Sequence, residues 1–561
     1  MKLPRNVGYL LFALAIFVIL SQWIIFGVAR EHWFDVSFSL ETVHKMRVEG
    51  VSSIDWGSHD VHPPLAYFPF YVWSYFNPGF SEYHWAQELS VVWGILFLGF
   101  AWFGLTYVFG RHGAFAVPFL AIGTTYLHYF TEVRMYAFLL LLSVIAFNAA
   151  VRKFEGWWVL WGSLALFAMP LTHYFATMAI PVYVFIGFVL MKRAGEWDFW
   201  DPGSRRRVFF PLIGGLIGLA YALSIALLQR ARVDGTWFAA AKVTSWPSAA
   251  MYNIFMLEQN DAPAGLFIAM YVLFLALLVF LAWKAFKVIS GRTRTSEDVL
   301  LLLMGSTVML PLLGLLVAPL LGGVSNLYHH RFFLVTGWMF AAAVFVLLAK
   351  WMFSREKEED RLLSRVFVVG VAVVMLGMVQ VYASSAHYEL ENVLKMIPCD
   401  DEQATIVHES PFSALPANVY AREHRCAWRN VVSTKITRRM ANGAGFDVMR
   451  EEDIYWNLTL PRGDYYVVYV AGTIPIDGSE YVIHKEDGVE LWKVTRWKTE
   501  ADASNMSWWV DNVWYDPDRE YVRIGDVPAG GCCYPKSCKF EVYARGMNCT
   551  CVYAVRCEAG K

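Results

Sequence analysis

Residues 135–151 read Met135-Tyr136-Ala137-Phe138-Leu139-Leu140-Leu141-Leu142-Ser143-Val144-Ile145-Ala146-Phe147-Asn148-Ala149-Ala150-Val151, and Arg152-Lys153 closes them. The run holds no charge and is long enough to cross a bilayer as a helix. The same pattern recurs on both sides of it. Apolar runs lie near 7–28, 88–109, 114–130, 135–151, 157–174, 176–191, 208–228, 266–286, 300–323, 332–349 and 366–383. The fold class expected is therefore a polytopic α-helical membrane protein with about 11 transmembrane helices. The first run leads into further spans rather than into a soluble domain, so it is read as a membrane helix and not as a cleaved signal peptide.

Composition agrees. Of 561 residues, 57% are hydrophobic and only 17% charged, where a soluble domain carries about 25%. Mean hydropathy is +0.40. Aromatic residues make up 17% and many stand where apolar runs end, as interfacial belts do. A net charge of −1 with no basic face argues against a nucleic-acid partner.

Lysine and arginine in short loops set the expected orientation. Lys2 and Arg5 precede the first run, Arg152 and Lys153 follow the fourth, and Lys192, Arg193, Arg205, Arg206 and Arg207 follow the sixth. Lys287, Arg292 and Arg294 follow the eighth, and the Arg355–Arg365 loop follows the tenth. These alternate loops share one side, which is then cytoplasmic. The N-terminus is placed there, in a cell membrane, and an odd number of spans puts the tail outside.

The chain thus divides into a membrane domain, 1–383, and an extracytoplasmic domain, 384–561. The tail mixes strand-like runs (Tyr465 to Val470, Glu480 to His484, Val489 to Val494) with turn signals, as a small α+β domain does. All eight cysteines lie in it: Cys399, Cys426, Cys532, Cys533, Cys538, Cys549, Cys551 and Cys557. Confinement to one outer segment favours disulfides, with a zinc site at Cys533, Cys538, Cys549 and Cys551 as the rival. Glycosylation sequons at Asn457, Asn505 and Asn548 fall in the same segment.

Two outer loops are too long to be plain connectors, 29–87 and 229–265. The first holds an amphipathic stretch, Leu40 to Val48, suited to the membrane plane. The outer ends of the runs also gather ionisable groups: Asp35; His59, Asp60 and His62; Glu132, Arg134 and Tyr136; His173 and Tyr174; His329, His330 and Arg331. Taken singly each has an ordinary explanation. Asp35 would cap an interfacial helix, His62-Pro63-Pro64 would stiffen a helix approach, Glu132 and Arg134 would be solvated, and His173 would be a core histidine. Outer arginines are less common at a membrane edge, and Arg134 and Arg331 are of the type that holds phosphate bidentately.

The order Trp33-Phe34-Asp35, Asp60-Val61-His62-Pro63-Pro64-Leu65, Glu132-Val133-Arg134-Met135-Tyr136, Thr172-His173-Tyr174-Phe175 and Arg331-Phe332-Phe333-Leu334 resembles one family over roughly residues 1–350. It is similar to the prokaryotic branch of the dolichyl-phosphate-mannose protein mannosyltransferases, close to the lipid A aminoarabinose transferases, in the GT-C glycosyltransferase superfamily. The resemblance implies inverting transfer of a monosaccharide from a polyprenyl (dolichyl) phosphate carrier to an extracytoplasmic acceptor, whether protein, glycan or lipid. It implies Asp35 as general base, Arg134, Arg331 and Tyr136 at the donor phosphate, and His62, Asp60, Glu132, His173 and Tyr174 in the substrate pocket.

Two departures stand out. Family members commonly have Asp-Glu where this chain has Asp35-Val36, so no cofactor is expected and a divalent metal has no support. An arginine is common where this chain has Gln87, so a phosphate contact is missing or supplied by Arg230 or Arg232. The alternative function is a transporter or flippase of a lipid-linked or polar substrate, which calls for midplane charges and paired repeats. An oligosaccharyltransferase would show a signature that Trp508-Trp509-Val510-Asp511 matches only superficially. A membrane scaffold is the remaining rival.

Overall fold

A computed structural model describes residues 34–54, 56, 62–230, 296–310, 334–354, 394–395, 399, 405–408 and 411–433. It also describes strands at 454–455, 465–470, 484–486, 489–497 and 519–522, and isolated positions at 17, 268, 272, 275, 279 and 282. Helix α1 (Phe34–Glu49) precedes a short α2 (Phe68–Ser74). There follow α3 (Glu82–Phe109), α4 (Arg111–Ala121), α5 (Thr124–Thr131), α6 (Tyr136–Val151), α7 (Trp157–Thr172), α8 (Ala179–Arg193) and α9 (Pro202–Arg230). Then come α10 (Ser296–Ser306), α11 (Leu334–Ser354) and, in the tail, α12 (Pro411–His424).

Among the described residues, four helices are long and apolar enough to cross a membrane: Glu82–Phe109, Tyr174–Arg193, Pro202–Leu227 and Leu334–Trp351. The pair Thr125–Thr131 and Tyr136–Val151, bent by 116°, would make a fifth. Helix α7 is apolar but shorter. The runs at 7–28, 266–286 and 366–383 lie outside the described residues, isolated positions apart. The run at 114–130 is not one helix. It breaks at Ile122-Gly123, four residues beyond Pro118, into α4 and α5. The Ile122 N–H still closes on the Pro118 carbonyl at 3.0 Å, so α4 runs through its proline, and Gly123 takes up an extended backbone before α5 begins.

Small residues and buried polar groups lock the helices. A Cβ on Gly214 of α9 would lie 2.8 Å from the Ser163 carbonyl of α7, and one on Gly218 would overlap the Phe167 carbonyl. This four-residue spacing lets two apolar helices touch backbone to backbone. Deeper in, the Val335 carbonyl of α11 accepts from Ser143 of α6 at 2.6 Å and lies 2.9 Å from the Tyr183 hydroxyl of α8. The Trp338 indole N–H donates to Ser143 Oγ at 2.6 Å. Partners of this kind remove the penalty of polar atoms in an apolar interior.

The bundle has two chemically different ends. At one, Arg207 bridges Glu196 (2.9 Å) and Glu155 (3.2 Å), Lys153 pairs with Glu196, and Lys350 pairs with Glu297. There too the Arg152 guanidinium lies 4.1, 4.3 and 4.8 Å from the ring centres of Phe103, Tyr107 and Trp158. These are the basic loops that the charge pattern assigns to one side. The other end carries α1, α2 and the candidate site.

The tail sheet runs β3-β2-β1-β4-β6-β5, with β7 beside β6. Strands β1 (Thr405–His408), β2 (Arg429–Ser433), β3 (Ile454–Tyr455) and β4 (Tyr465–Val470) are mutually parallel, and α12 crosses between β1 and β2. Strands β5 (His484–Glu486), β6 (Val489–Trp497) and β7 (Arg519–Val522) continue it antiparallel. The expected strands at 465–470 and 489–494 are therefore present. Of the one expected at 480–484, only His484 is described, at the start of β5. Cys399 and Cys426 form a disulfide that ties the approach to β1 to the end of α12. The other six cysteines, and with them the zinc alternative, lie outside the described residues.

Buried His408, on β1, contacts Asn430 at 3.0 Å. Burial pushes its imidazole down to about 4, against the opposing pull of the Asn430 hydrogen bond. An unfolded histidine titrates near 6.5. The unfolded tail therefore binds more protons than the folded one between these values, so stability is complete above about pH 6.5 and falls as pH drops toward 4. The loss expected across that window is ~3 kcal/mol, and His408→Gln should flatten it. Urea unfolding of the full chain at pH 7, 5.5 and 4.5, followed by tail fluorescence, measures this; equal slopes in both proteins would refute it.

Helix α1 is largely covered by protein. Val36 to Val43 and Met46 are all buried, and only Arg47 to Glu49 are exposed. The reason is α12, which packs on α1 and covers it from the tail side. Arg422 of α12 pairs with Glu41 of α1 and with Glu82 at the start of α3 (3.2 Å). Burial works against the Arg422 charge, but the attraction of Glu41 and Glu82 outweighs it and holds its pKa above the ordinary arginine value.

Candidate active site

The site is built on a corner. Helix α5 ends at Thr131, and α6 starts at Tyr136 in a new direction. The four residues between are Glu132, Val133, Arg134 and Met135, all buried. The Arg134 N–H donates to the Glu132 carbonyl at 2.8 Å, so the chain turns tightly between the two charged residues. Gln87 of α3, fully buried, donates from its side-chain amide to the Thr131 carbonyl at 2.8 Å. That carbonyl belongs to the last turn of α5 and has lost its helical partner. Gln87 thus braces the corner from the position where an arginine is common in the family it resembles.

Asp35 sits in the first turn of α1, where a helix N-terminus favours negative charge. Arg134 reaches across to it. Its Nη2 lies 3.9 Å from Asp35 Oδ2, and its Nη1 donates to the Asp35 carbonyl (3.3 Å) and to Ser39 Oγ (3.1 Å). Ser39 in turn donates to the Asp35 carbonyl at 2.9 Å. The Arg134 side chain is 4% exposed and that of Asp35 18%, so the carboxylate is the more open partner. A guanidinium so held is a fixed cation beside a carboxylate that keeps part of its surface exposed.

A second group lies beside the same corner. The rings of His62 and His173 are 5.3 Å apart, and those of Tyr136 and His173 are 5.9 Å apart. His173 interrupts the helix between α7 and the 3-10 turn Tyr174–Met178, with an extended backbone. Its Nδ1 accepts from the Phe175 N–H at 3.3 Å, so the neutral ring carries its proton on Nε2. Tyr136 joins the two groups, standing two residues beyond Arg134. Tyr174 is half-buried in the turn itself.

Of the residues expected from sequence, the structure brings Asp35 to Arg134, and His62 and Tyr136 each to His173. Glu132 pairs with His128 at 3.5 Å, one helical turn back. Asp60 and Arg331 lie outside the described residues, as do His59, His329, His330 and Arg232, and the Arg230 side chain is likewise not described. Two participants escaped the sequence reading. Ser39 holds Arg134, and its spacing of four from Asp35 on a helix was the available signal. His128 likewise stands four residues before Glu132. Among the described residues, no three His, Cys, Asp or Glu side chains gather as metal ligands.

No family model matches the chain, and no curated protein matches it. Among solved structures, the chain is similar to ArnT from Cupriavidus metallidurans bound to undecaprenyl phosphate, at 12% identity and TM-score 0.49 over 84% of this chain and 94% of that one. It is also similar to the Archaeoglobus fulgidus oligosaccharyltransferase in its apo form, at 10% identity and TM-score 0.48 over 79% of this chain. The chain spans about 65% of the length of that transferase. A third likeness is to AglB from Archaeoglobus fulgidus in complex with an inhibitory peptide and a dolichol-phosphate, at 10% identity and TM-score 0.48. At about one identical residue in ten and TM-scores below one half, none of these likenesses assigns an activity.

Proposed function

We propose that the chain is an integral membrane glycosyltransferase that moves a monosaccharide from a polyprenyl (dolichyl) phosphate to an acceptor on the extracytoplasmic face. One observation carries the proposal: residues 99 positions apart, Asp35 and Arg134, meet as a partly buried carboxylate–guanidinium pair at the bundle end opposite the basic loops. An acceptor hydroxyl needs a base, and a departing phosphate needs a cation. The pair supplies both within a few ångströms.

In this reading the Asp35 carboxylate takes the acceptor proton as the oxygen attacks the anomeric carbon. The bond from that carbon to the carrier's phosphate oxygen breaks on the opposite face, and the configuration inverts. The electron pair leaves with the polyprenyl phosphate, whose charge the Arg134 fork stabilises. A phosphate is a good leaving group, so one carboxylate suffices. Tyr136, His62 and His173, with its Nε2 proton, line the pocket as donors to sugar or phosphate. Asp60, Glu132 and Tyr174 complete the pocket, and Arg331 is a second phosphate contact. The resemblance favours a hexosyl or pentosyl transferase of the mannosyltransferase kind, with a protein, glycan or lipid as acceptor and no cofactor. The N-terminus and the basic end face the cytoplasm and the tail lies outside.

The test is transfer by the purified full chain in lipid, supplied with polyprenyl-phosphate monosaccharides and a mixed acceptor pool. Release of polyprenyl phosphate together with a glycosylated product supports the reading. Failure to bind any polyprenyl-phosphate sugar would remove it and bring transport of another substrate forward.

A further inference from the structure

The transferase reading leaves one charged cluster unused, and it bears on the helix that carries Asp35. Arg422 of α12 forks between Glu41 and Glu82, with Nε and Nη2 at 3.3 and 3.2 Å from Glu82 Oε2. Next to it Glu423 accepts from the Tyr83 N–H at 3.1 Å, so a tail residue satisfies one of the open amides at the start of α3. His44 of α1 lies 3.4 Å from the other oxygen of Glu82. Two adjacent residues of one tail helix thus reach both α1 and the first turn of a membrane helix.

Position along α1 gives the cluster its meaning. At about 100° per residue, Asp35, Ser39 and Thr42 fall on one face and Glu41 about a third of a turn away. Arg134 holds the first face through Asp35 and Ser39, and Arg422 holds the second through Glu41. The Glu41 side chain is only 7% exposed, so without Arg422 it would be a buried carboxylate facing a second carboxylate at Glu82. The helix would then move to hydrate it, and Asp35, six residues away, would move too.

We infer that Arg422 is a positioning residue: through Glu41 and Glu82 it fixes α1, and with it Asp35, so that the extracytoplasmic domain sets the geometry of the site. The kinetic half rests on the transferase reading; the structural half does not. Misplacement of about 1 Å can cost a reaction about a hundredfold.

The experiment compares wild type, Arg422→Ala, Arg422→Ala with Glu41→Gln, and Arg425→Ala, which changes an exposed arginine at the end of the same helix. Hydrogen exchange of the amides of residues 36–46 and donor-saturated turnover are read on each full-length protein. Arg422→Ala is expected to speed exchange in α1 and lower turnover, each about tenfold, with polyprenyl phosphate binding within about twofold of wild type. The double variant, with no buried unpaired carboxylate, should recover most of the exchange protection, and Arg425→Ala should match wild type. Unchanged exchange in Arg422→Ala overturns the inference, as does faster exchange with unchanged turnover. Should Arg422→Ala unfold outright, Arg422→Lys carries the same comparison, since it keeps the charge and loses the fork. A wild-type protein that transfers no sugar overturns the transferase reading, while the exchange data still decide whether Arg422 fixes α1.

Discussion

Asp35→Asn stops transfer while leaving donor binding intact or tighter. The expected fall in turnover is about 10²- to 10⁴-fold, the range that a positioned base contributes. Asparagine has nearly the same shape, so the α1 backbone and the hydrogen bonds from Arg134 and Ser39 to the Asp35 carbonyl persist. What disappears is the charge 3.9 Å from the Arg134 guanidinium. A donor phosphate must share that guanidinium with Asp35 in the wild type, and in the variant it need not. Direct binding of polyprenyl phosphate, measured beside transfer, separates the outcomes. Turnover equal to wild type would show that Asp35 is not the base, and weaker donor binding would show that its role is to shape the phosphate site.

Arg134→Ala has the opposite signature. Polyprenyl phosphate should bind at least about tenfold more weakly, and turnover should drop about 10²- to 10³-fold, as when one donor to a developing anion is removed. Arg134→Lys should recover only part of either loss. A single ammonium cannot reach Asp35, its carbonyl and Ser39 together, nor hold two phosphate oxygens in a fork. Arg134 also pins the start of α1, so the alanine variant should lose about 1–3 kcal/mol of stability. A thermal unfolding scan taken with the binding titration distinguishes a weakened fold from a lost phosphate site. Wild-type affinity in a folded Arg134→Ala protein would remove Arg134 from the donor site.

Arg134→Ala thus weakens donor binding and Asp35→Asn does not, although the residues are partners. A purely structural ion pair would not behave that way, because breaking it from either side costs the same interaction. The contrast is therefore a sharper discriminator than either loss of activity alone.

The sequence by itself determined the membrane class, the basic loops gathered at one end and the gathering of Asp35, His62, Glu132, Arg134 and His173 at the other. Each follows from local chemistry: a charge-free run such as 135–151 can satisfy its backbone in lipid only as a helix, and the residues that precede and follow it then stand at opposite ends of that helix. The tertiary structure alone decided which of those residues touch. Arg134 meets Asp35, rather than its sequence neighbour Tyr136 or the nearby His173, because α5 and α6 break at a corner that Gln87 braces. Gln87 read as a missing phosphate contact, since a side chain that bonds a distant carbonyl leaves no periodic trace. Likewise Leu40–Val48 carries the pattern of a helix lying on lipid, and nothing local distinguishes a lipid surface from the face of another helix. Its burial was settled by α12, more than 360 residues further along, whose Arg422 meets Glu41 across a separation of 381 residues. Periodicity reports that a face must be covered; only the folded chain determines what covers it.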